Sequence, residues 1–176
     1  AAALATSGIP CTWHDDLCII EPGTVLTGDG RYYTVFTPFK RNWLAQLADR
    51  PIRLRAQPAA RKQRLVESDA LPADWGGYAN HVDAATCAHL WPAGEQEAWS
   101  RLQAFINSDI GRYDRQRDFP AINGTSTLSP YLAAGVLSAR QCLVMAQQAA
   151  NQGAAAANGI DGWISELCWR GFYKHI

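Results

Sequence analysis

Two groups of residues have side-chain types and spacing suited to chemistry. The first is Asn123-Gly124-Thr125-Ser126-Thr127-Leu128-Ser129-Pro130-Tyr131-Leu132, which packs four hydroxyls, on Thr125, Ser126, Thr127 and Ser129, into a short run. Gly124 can take positive φ, so the chain can turn sharply before the hydroxyls. Ser129 is a favourable helix N-cap and Pro130 suits the first helical position. Unpaired N–H groups at a helix start, joined by these hydroxyls, make a cradle for a phosphate or pyrophosphate. A self-capped loop leading into a helix fits the same residues.

The second group lies between Gly162 and Ile176. On a helix at about 100° per residue, Glu166, Trp169, Arg170 and Tyr173 share one arc, with Trp163 at its edge. Ile164, Leu167, Cys168, Gly171, Phe172 and His175 share another, which reads as the buried face. The first arc suits a nucleobase. Stacking on an aromatic platform offers roughly 1–3 kcal/mol per base, and a carboxyl group can reach a base edge. Arg117 and Arg170 suit backbone phosphates. A second buried face, with Glu166 and Arg170 as an i,i+4 ion pair, fits the spacing as well.

Other chemistries find little support. His14, His81, His89 and His175 are scattered and pair with no cysteine or carboxylate at a ligand spacing, so no metal is expected. The sequence has no G-x-S-x-G, P-loop or G-x-G-x-x-G motif. The five cysteines, Cys11, Cys18, Cys87, Cys142 and Cys168, are odd in number and form no C-x-x-C pair. That pattern fits a reduced, cytosolic chain better than a disulfide framework.

The elements that must position these groups follow from the rest of the sequence. Apolar residues make up 48% of the 176, enough for a packed core. Formal net charge is zero, so a nucleic-acid partner would have to be met by a local patch. No apolar run approaches the ~18 residues of a membrane span. Residues Thr12 to Glu21 read as a strand end. Val25-Leu26-Thr27 and Tyr32 to Phe36, joined by Gly28-Asp29-Gly30, read as a hairpin. Thr37-Pro38 then opens a helix to about Ala48, with Phe39, Trp43, Leu44 and Leu47 at helical spacing.

Arg50 to Trp91 is rich in proline and glycine and basic in its first half (Arg50, Arg53, Arg55, Arg61, Lys62, Arg64). It reads as a solvated interdomain linker, with nucleic-acid contact as the alternative. Ala98, Trp99, Leu102, Phe105, Ile106 and Ile110 mark one face of a helix to about Asp109. Ser138-Ala139-Arg140-Gln141 is a capping box for a helix to about Ala150. Asp161 is placed to cap the last helix. The sequence begins without methionine and stops within a helical pattern, and is read as a piece of a longer protein.

Three segments together resemble one family. Tyr33-Thr34-Val35-Phe36-Thr37-Pro38-Phe39, Tyr113 through Leu132, and Trp163 through Ile176 are similar to the photolyase/cryptochrome family, above all to bacterial cyclobutane pyrimidine dimer photolyases. The resemblance implies a mainly α chain: part of an all-helical FAD-binding domain, preceded by a remnant of an α/β antenna domain and a linker. The expected divisions are residues 1–49, 50–91 and 92–176. It implies FAD held by Tyr113, Thr125, Ser126, Thr127, Leu128, Ser129 and Trp163. It implies catalytic roles for Glu166 and Trp169, and DNA contacts from Arg117, Glu166, Trp169, Arg170 and Tyr173.

The implied activity is blue-light-driven repair of pyrimidine dimers in damaged DNA. The implied protein is a cytoplasmic, bacterial monomer carrying a folate- or deazaflavin-type antenna chromophore when full length. The isolated piece is expected to be inactive, with the electron-transfer tryptophans lying elsewhere. Two departures stand out: Thr127 where the family usually has arginine in G-T-S-R-L-S, and Gly171 where an acidic residue is common in W-R-E-F-Y. The rival readings are a cryptochrome-type blue-light receptor and a non-catalytic helical interaction module.

Overall fold

The computed structural model describes residues 2–12, 16–50, 52–56, 70, 84–153 and 156–176. His14, His81 and most of the expected linker lie outside the described residues. Among those described, the chain is helical. In order come α1 (Ala2–Thr6), α2 (Phe36–Asp49), α3 (Ala84–Leu90), α4 (Glu95–Ser108), a 3-10 turn (Ile110–Arg112), α5 (Tyr113–Gln116), α6 (Ser129–Ala133), α7 (Ala139–Asn151) and α8 (Ala157–His175). α8 is the hub, packing on α2, α5, α7 and the 3-10 turn.

Among the described residues, the expected strands do not form. Residues 17–20 are irregular, and the hairpin is reduced to one antiparallel bridge between Leu26 and Tyr32. The turn itself is present, with Gly30 N–H donating to the Thr27 carbonyl at 2.9 Å. α2 packs beside this turn and takes one of its main-chain carbonyls. Asn42 Nδ2 donates to the Leu26 carbonyl at 2.8 Å and to the Tyr33 hydroxyl at 3.2 Å. The Asn42 side chain thus satisfies a main-chain carbonyl that a third strand could otherwise have paired.

α2 begins earlier than Thr37-Pro38 suggests. Val35 is its N-cap, at φ −123° and ψ 134°. Proline is tolerated in the first turn because those N–H groups have no intrahelical partner. Phe39, Trp43 and Leu47, four apart, are buried against α8. The Phe39 ring lies 5.1 Å from both Phe172 and His175. Burial of each large side chain stabilises by roughly 1.5–3 kcal/mol. Gly171 faces Trp43, but a Cβ there would stand 3.8 Å from its Nε1, which is ordinary contact. The helix packing therefore does not require glycine at that position.

α7 starts as expected. The Ser138 hydroxyl accepts from Arg140 N–H at 3.2 Å, and Ser138 N–H donates to Gln141 Oε1 at 2.8 Å. α8 departs from expectation. It starts at Ala157, with Ala156 as N-cap, so Asp161 sits inside the helix and caps nothing. The cause is tertiary. A Cβ on Gly159 would lie 2.1 Å from the Ile110 carbonyl oxygen, so only glycine lets this turn lie on the 3-10 segment. The helical cost of glycine, about 1 kcal/mol, is offset by that packing and by burial of Ile160.

Candidate cofactor and substrate site

The loop before α6 differs in two ways from its local chemistry. Gly124 does not take positive φ; Thr127 does, at 49°. Gly124 is needed for space instead, since a Cβ would come within 2.4 Å of Gln116 Cβ. α6 starts one residue early, with Leu128 as N-cap and Ser129 as its first residue. At five residues it carries little macrodipole. What the loop does offer is donors. The main-chain N–H groups of Thr125, Ser126, Thr127 and Leu128 have no hydrogen-bond partner among the described residues.

Three segments meet around a cavity of about 510 Å³. Ser126 lines it from the loop, Ser129 from the start of α6, Tyr113 from α5, and Trp163, Glu166, Leu167, Arg170 and Lys174 from α8. Leu17, Leu132 and Ala133 complete the lining. Six residues predicted from sequence are thereby brought together across separate stretches. Six others are not on the wall. Leu128 is buried in the core, and Thr125 is exposed. Thr127 turns to other partners: Trp91 Nε1 donates to its carbonyl at 3.1 Å, and Arg101 Nη1 to its hydroxyl at 2.6 Å. Arg117, Trp169 and Tyr173 lie beside the cavity and do not line it.

The charges on α8 pair differently from the i,i+4 reading. Glu166 accepts from Arg117 of the segment after α5, and both are about one-third exposed. Arg170 donates instead to the main-chain carbonyls of Leu17 and, at 3.0 Å, Leu132. The hydrogen bond from Arg117 to Glu166 holds the guanidinium pKa above its ordinary value. Arg117 also stands 5.6 Å from the Tyr113 ring centroid. Burial pushes the Tyr113 phenol up, the Glu166 charge adds to the shift, and Arg117 opposes it. Tyr113 is thus a neutral, aromatic part of the wall at physiological pH.

The aromatic platform is stacked on itself. Phe36 lies on Trp169 with centroids 3.6 Å apart and planes 8° from parallel. Tyr173 stacks at 5.6 Å from Trp169. Trp163 is buried and tilted against Phe105 at 5.2 Å.

Sequence reasoning missed Lys174, Leu17 and Arg101. Lys174 had a signal, being four residues beyond Arg170 on the same helical face. Leu17 had none, since it is brought in from the far end of the chain. Arg101 sits on the polar side of α4 and has no local motif. It does bring a guanidinium to the hydroxyl of Thr127.

Comparison with known proteins agrees with this arrangement. The fold matches the crystal structure of a bacterial class III photolyase from Agrobacterium tumefaciens with a TM-score of 0.77 and 28% identity, over 99% of this chain and 36% of that one. A family model described as DNA photolyase matches residues 1–62. Over nearly all of its length, the chain is similar to proteins of the DNA photolyase family.

Among its relatives are proteins named deoxyribodipyrimidine photo-lyase. That of Vibrio cholerae is 38% identical over 98% of this chain and 36% of its own length. That of Escherichia coli is 39% identical over 98% of this chain and 35% of its own length. That of Neurospora crassa is 36% identical over 92% of this chain and 28% of its own length. The chain therefore spans about a third of the length of these relatives.

Proposed function

We propose that this chain forms part of a light-dependent DNA repair enzyme that acts on cyclobutane pyrimidine dimers with FAD as cofactor. One observation carries the reading: Tyr113, Ser126, Ser129, Trp163, Glu166 and Arg170, named from three separate sequence segments, line a single cavity. The donor set fits a flavin nucleotide. Uncommitted N–H groups and serine hydroxyls suit its phosphates, and Trp163 and Tyr113 supply apolar aromatic surface. When bound, reduced FAD supplies an electron to the lesion under blue light.

The chain's own residues position and exclude. Ser126, Ser129, Tyr113 and the main-chain N–H groups of Thr125, Thr127 and Leu128 would hold the phosphate end of FAD, and Trp163 would flank its ring system. Glu166 is the hydrogen-bond partner for the extruded bases, and Arg117 holds its carboxylate ready. Arg170 and Tyr173 complete the DNA-facing side. An enzyme acting on a base within a duplex must extrude it. Trp169 packs on the extruded pair, which requires Phe36 to leave the face it now covers.

Residues 1–49 belong to the antenna domain in this reading, 50–91 to the linker and 92–176 to the FAD domain. Repair resides in a chain of the relatives' length, a cytoplasmic monomer that also carries an antenna chromophore.

The test is repair of dimer-containing DNA under blue light by the longer protein. Glu166→Gln and Glu166→Ala are both expected to lower the yield per photon, Ala more than Gln, because a hydrogen-bond partner of the developing charge is weakened or lost. Full yield in both variants would remove Glu166 from the mechanism.

A further inference from the structure

Among the described residues, Thr127 is the one non-glycine residue in the left-handed region, at φ 49°. A β-branched side chain avoids that region, and it persists there only where the surroundings impose it. The surroundings here are specific. The Thr127 carbonyl accepts from Trp91 Nε1 at 3.1 Å, and its hydroxyl accepts from Arg101 Nη1 at 2.6 Å. Neither Trp91 nor Arg101 lines the cavity, so both hold the loop from behind.

Arg101 is itself fixed. Its Nη2 donates to the Leu90 carbonyl at 2.8 Å, and its guanidinium stands 5.8 Å from the Tyr131 ring centroid. The Tyr131 hydroxyl in turn donates to the Pro92 carbonyl at 2.8 Å. No carboxylate among the described residues lies within ion-pair distance of Arg101. The planar fork spans two acceptors, Thr127 Oγ1 and Leu90 O, a geometry an ammonium group does not reproduce.

We propose that Arg101 and Trp91 form a clamp that holds Thr127 in its left-handed turn, and that Arg101 is a positioning residue for the anion-binding loop. The turn sets Ser126 and Ser129 on the cavity and leaves the N–H groups of Thr125 to Leu128 uncommitted. This deepens the reading of the cavity as a nucleotide site and rests on it for the identity of the ligand, a diphosphate-bearing nucleotide.

The test uses the whole chain, with ADP as the probe. Two readouts are taken: ADP affinity by calorimetry, and the NMR couplings that report φ at residue 127. Arg101→Ala is expected to shift residue 127 to negative φ and weaken ADP about tenfold, the scale of one strained residue relaxing. Adding Thr127→Gly to Arg101→Ala is expected to regain most of that affinity, because glycine takes the left-handed turn without a clamp. A purely structural role for Arg101, or direct contact with the ligand, would gain nothing from glycine. Retention of positive φ in Arg101→Ala, or absence of any rescue by glycine, overturns the clamp. If the unmodified chain takes up no ADP, the nucleotide reading of the cavity fails, and φ at residue 127 in Arg101→Ala alone decides the clamp.

Discussion

On the loop wall of the cavity, the main-chain N–H groups from Thr125 to Leu128 have no partner among the described residues. On the α8 wall, Glu166 and Arg170 are already committed, to Arg117 and to the carbonyls of Leu17 and Leu132. The loop achieves its state by fixing the residue behind it, Thr127, so that the donors in front remain available. The helix is fixed by its own hydrogen bonds and by packing on the rest of the core. Its polar side chains can then tie neighbouring segments and still border the cavity. A rigid helix can spend its side chains on cross-links, whereas a loop must borrow rigidity from elsewhere.

The largest test of this contrast is steric. Gly159→Ala puts a methyl group against a main-chain carbonyl that cannot give way, and should cost about 3 kcal/mol of stability. Gly124→Ala meets Gln116 Cβ at 2.4 Å, a slightly wider approach than the 2.1 Å at Gly159, and should cost somewhat less, about 2 kcal/mol. Chemical denaturation measures both, and a reversed order would mean that the loop, not the helix, carries the rigidity. Next comes Arg170→Ala, which removes a guanidinium from two carbonyls and should cost about 2 kcal/mol. Hydrogen exchange should then speed up around Leu17 and leave the buried face of α8 protected. The smallest effect is expected for Glu166→Gln. Its ion pair is about one-third exposed on both sides, so stability should fall by less than about 1 kcal/mol. That loss should shrink further at high salt. A larger cost would mean that Glu166 serves the fold more than the site.

Much of this was legible in the residues. Most of the buried arc of α8 was visible because a 3.6-residue period places Leu167, Cys168, Gly171, Phe172 and His175 together, and all five are buried; Ile164, read on the same arc, is only half-buried, and Trp163, read at the edge of the other arc, is buried. The capping box at Ser138 was visible because its hydrogen bonds are local. The start of α8 was not, because Gly159 acts through a contact with Ile110 some fifty residues earlier in the chain. The strands before α2 were misread for a related reason. Their sequence favours extension, but Asn42 claims the carbonyl that a neighbouring strand would use. At the site, the hydroxyl loop and the Glu166 arc could each be named from sequence. The links between and behind them, Arg117 to Glu166 and Arg101 to Thr127, join residues far apart and carry no local pattern.

The bond from Arg170 to the Leu17 carbonyl has a consequence for synthesis. It joins residues 153 positions apart, and Arg140 reaches the Ile19 carbonyl across 121. While the chain is being made, residues 16–20 leave the ribosome long before Arg140 and Arg170, which donate to the Ile19 and Leu17 carbonyls. These two bonds can close only after α7 and α8 have emerged. Pairs so distant in sequence close late, because their loop entropy is lost before any contact repays it. The first described residues of the cavity wall to be translated are therefore expected to be among the last to settle. Surface footprinting of nascent chains would see the Leu17 segment gain its cover from α8 only after Arg170 has been added.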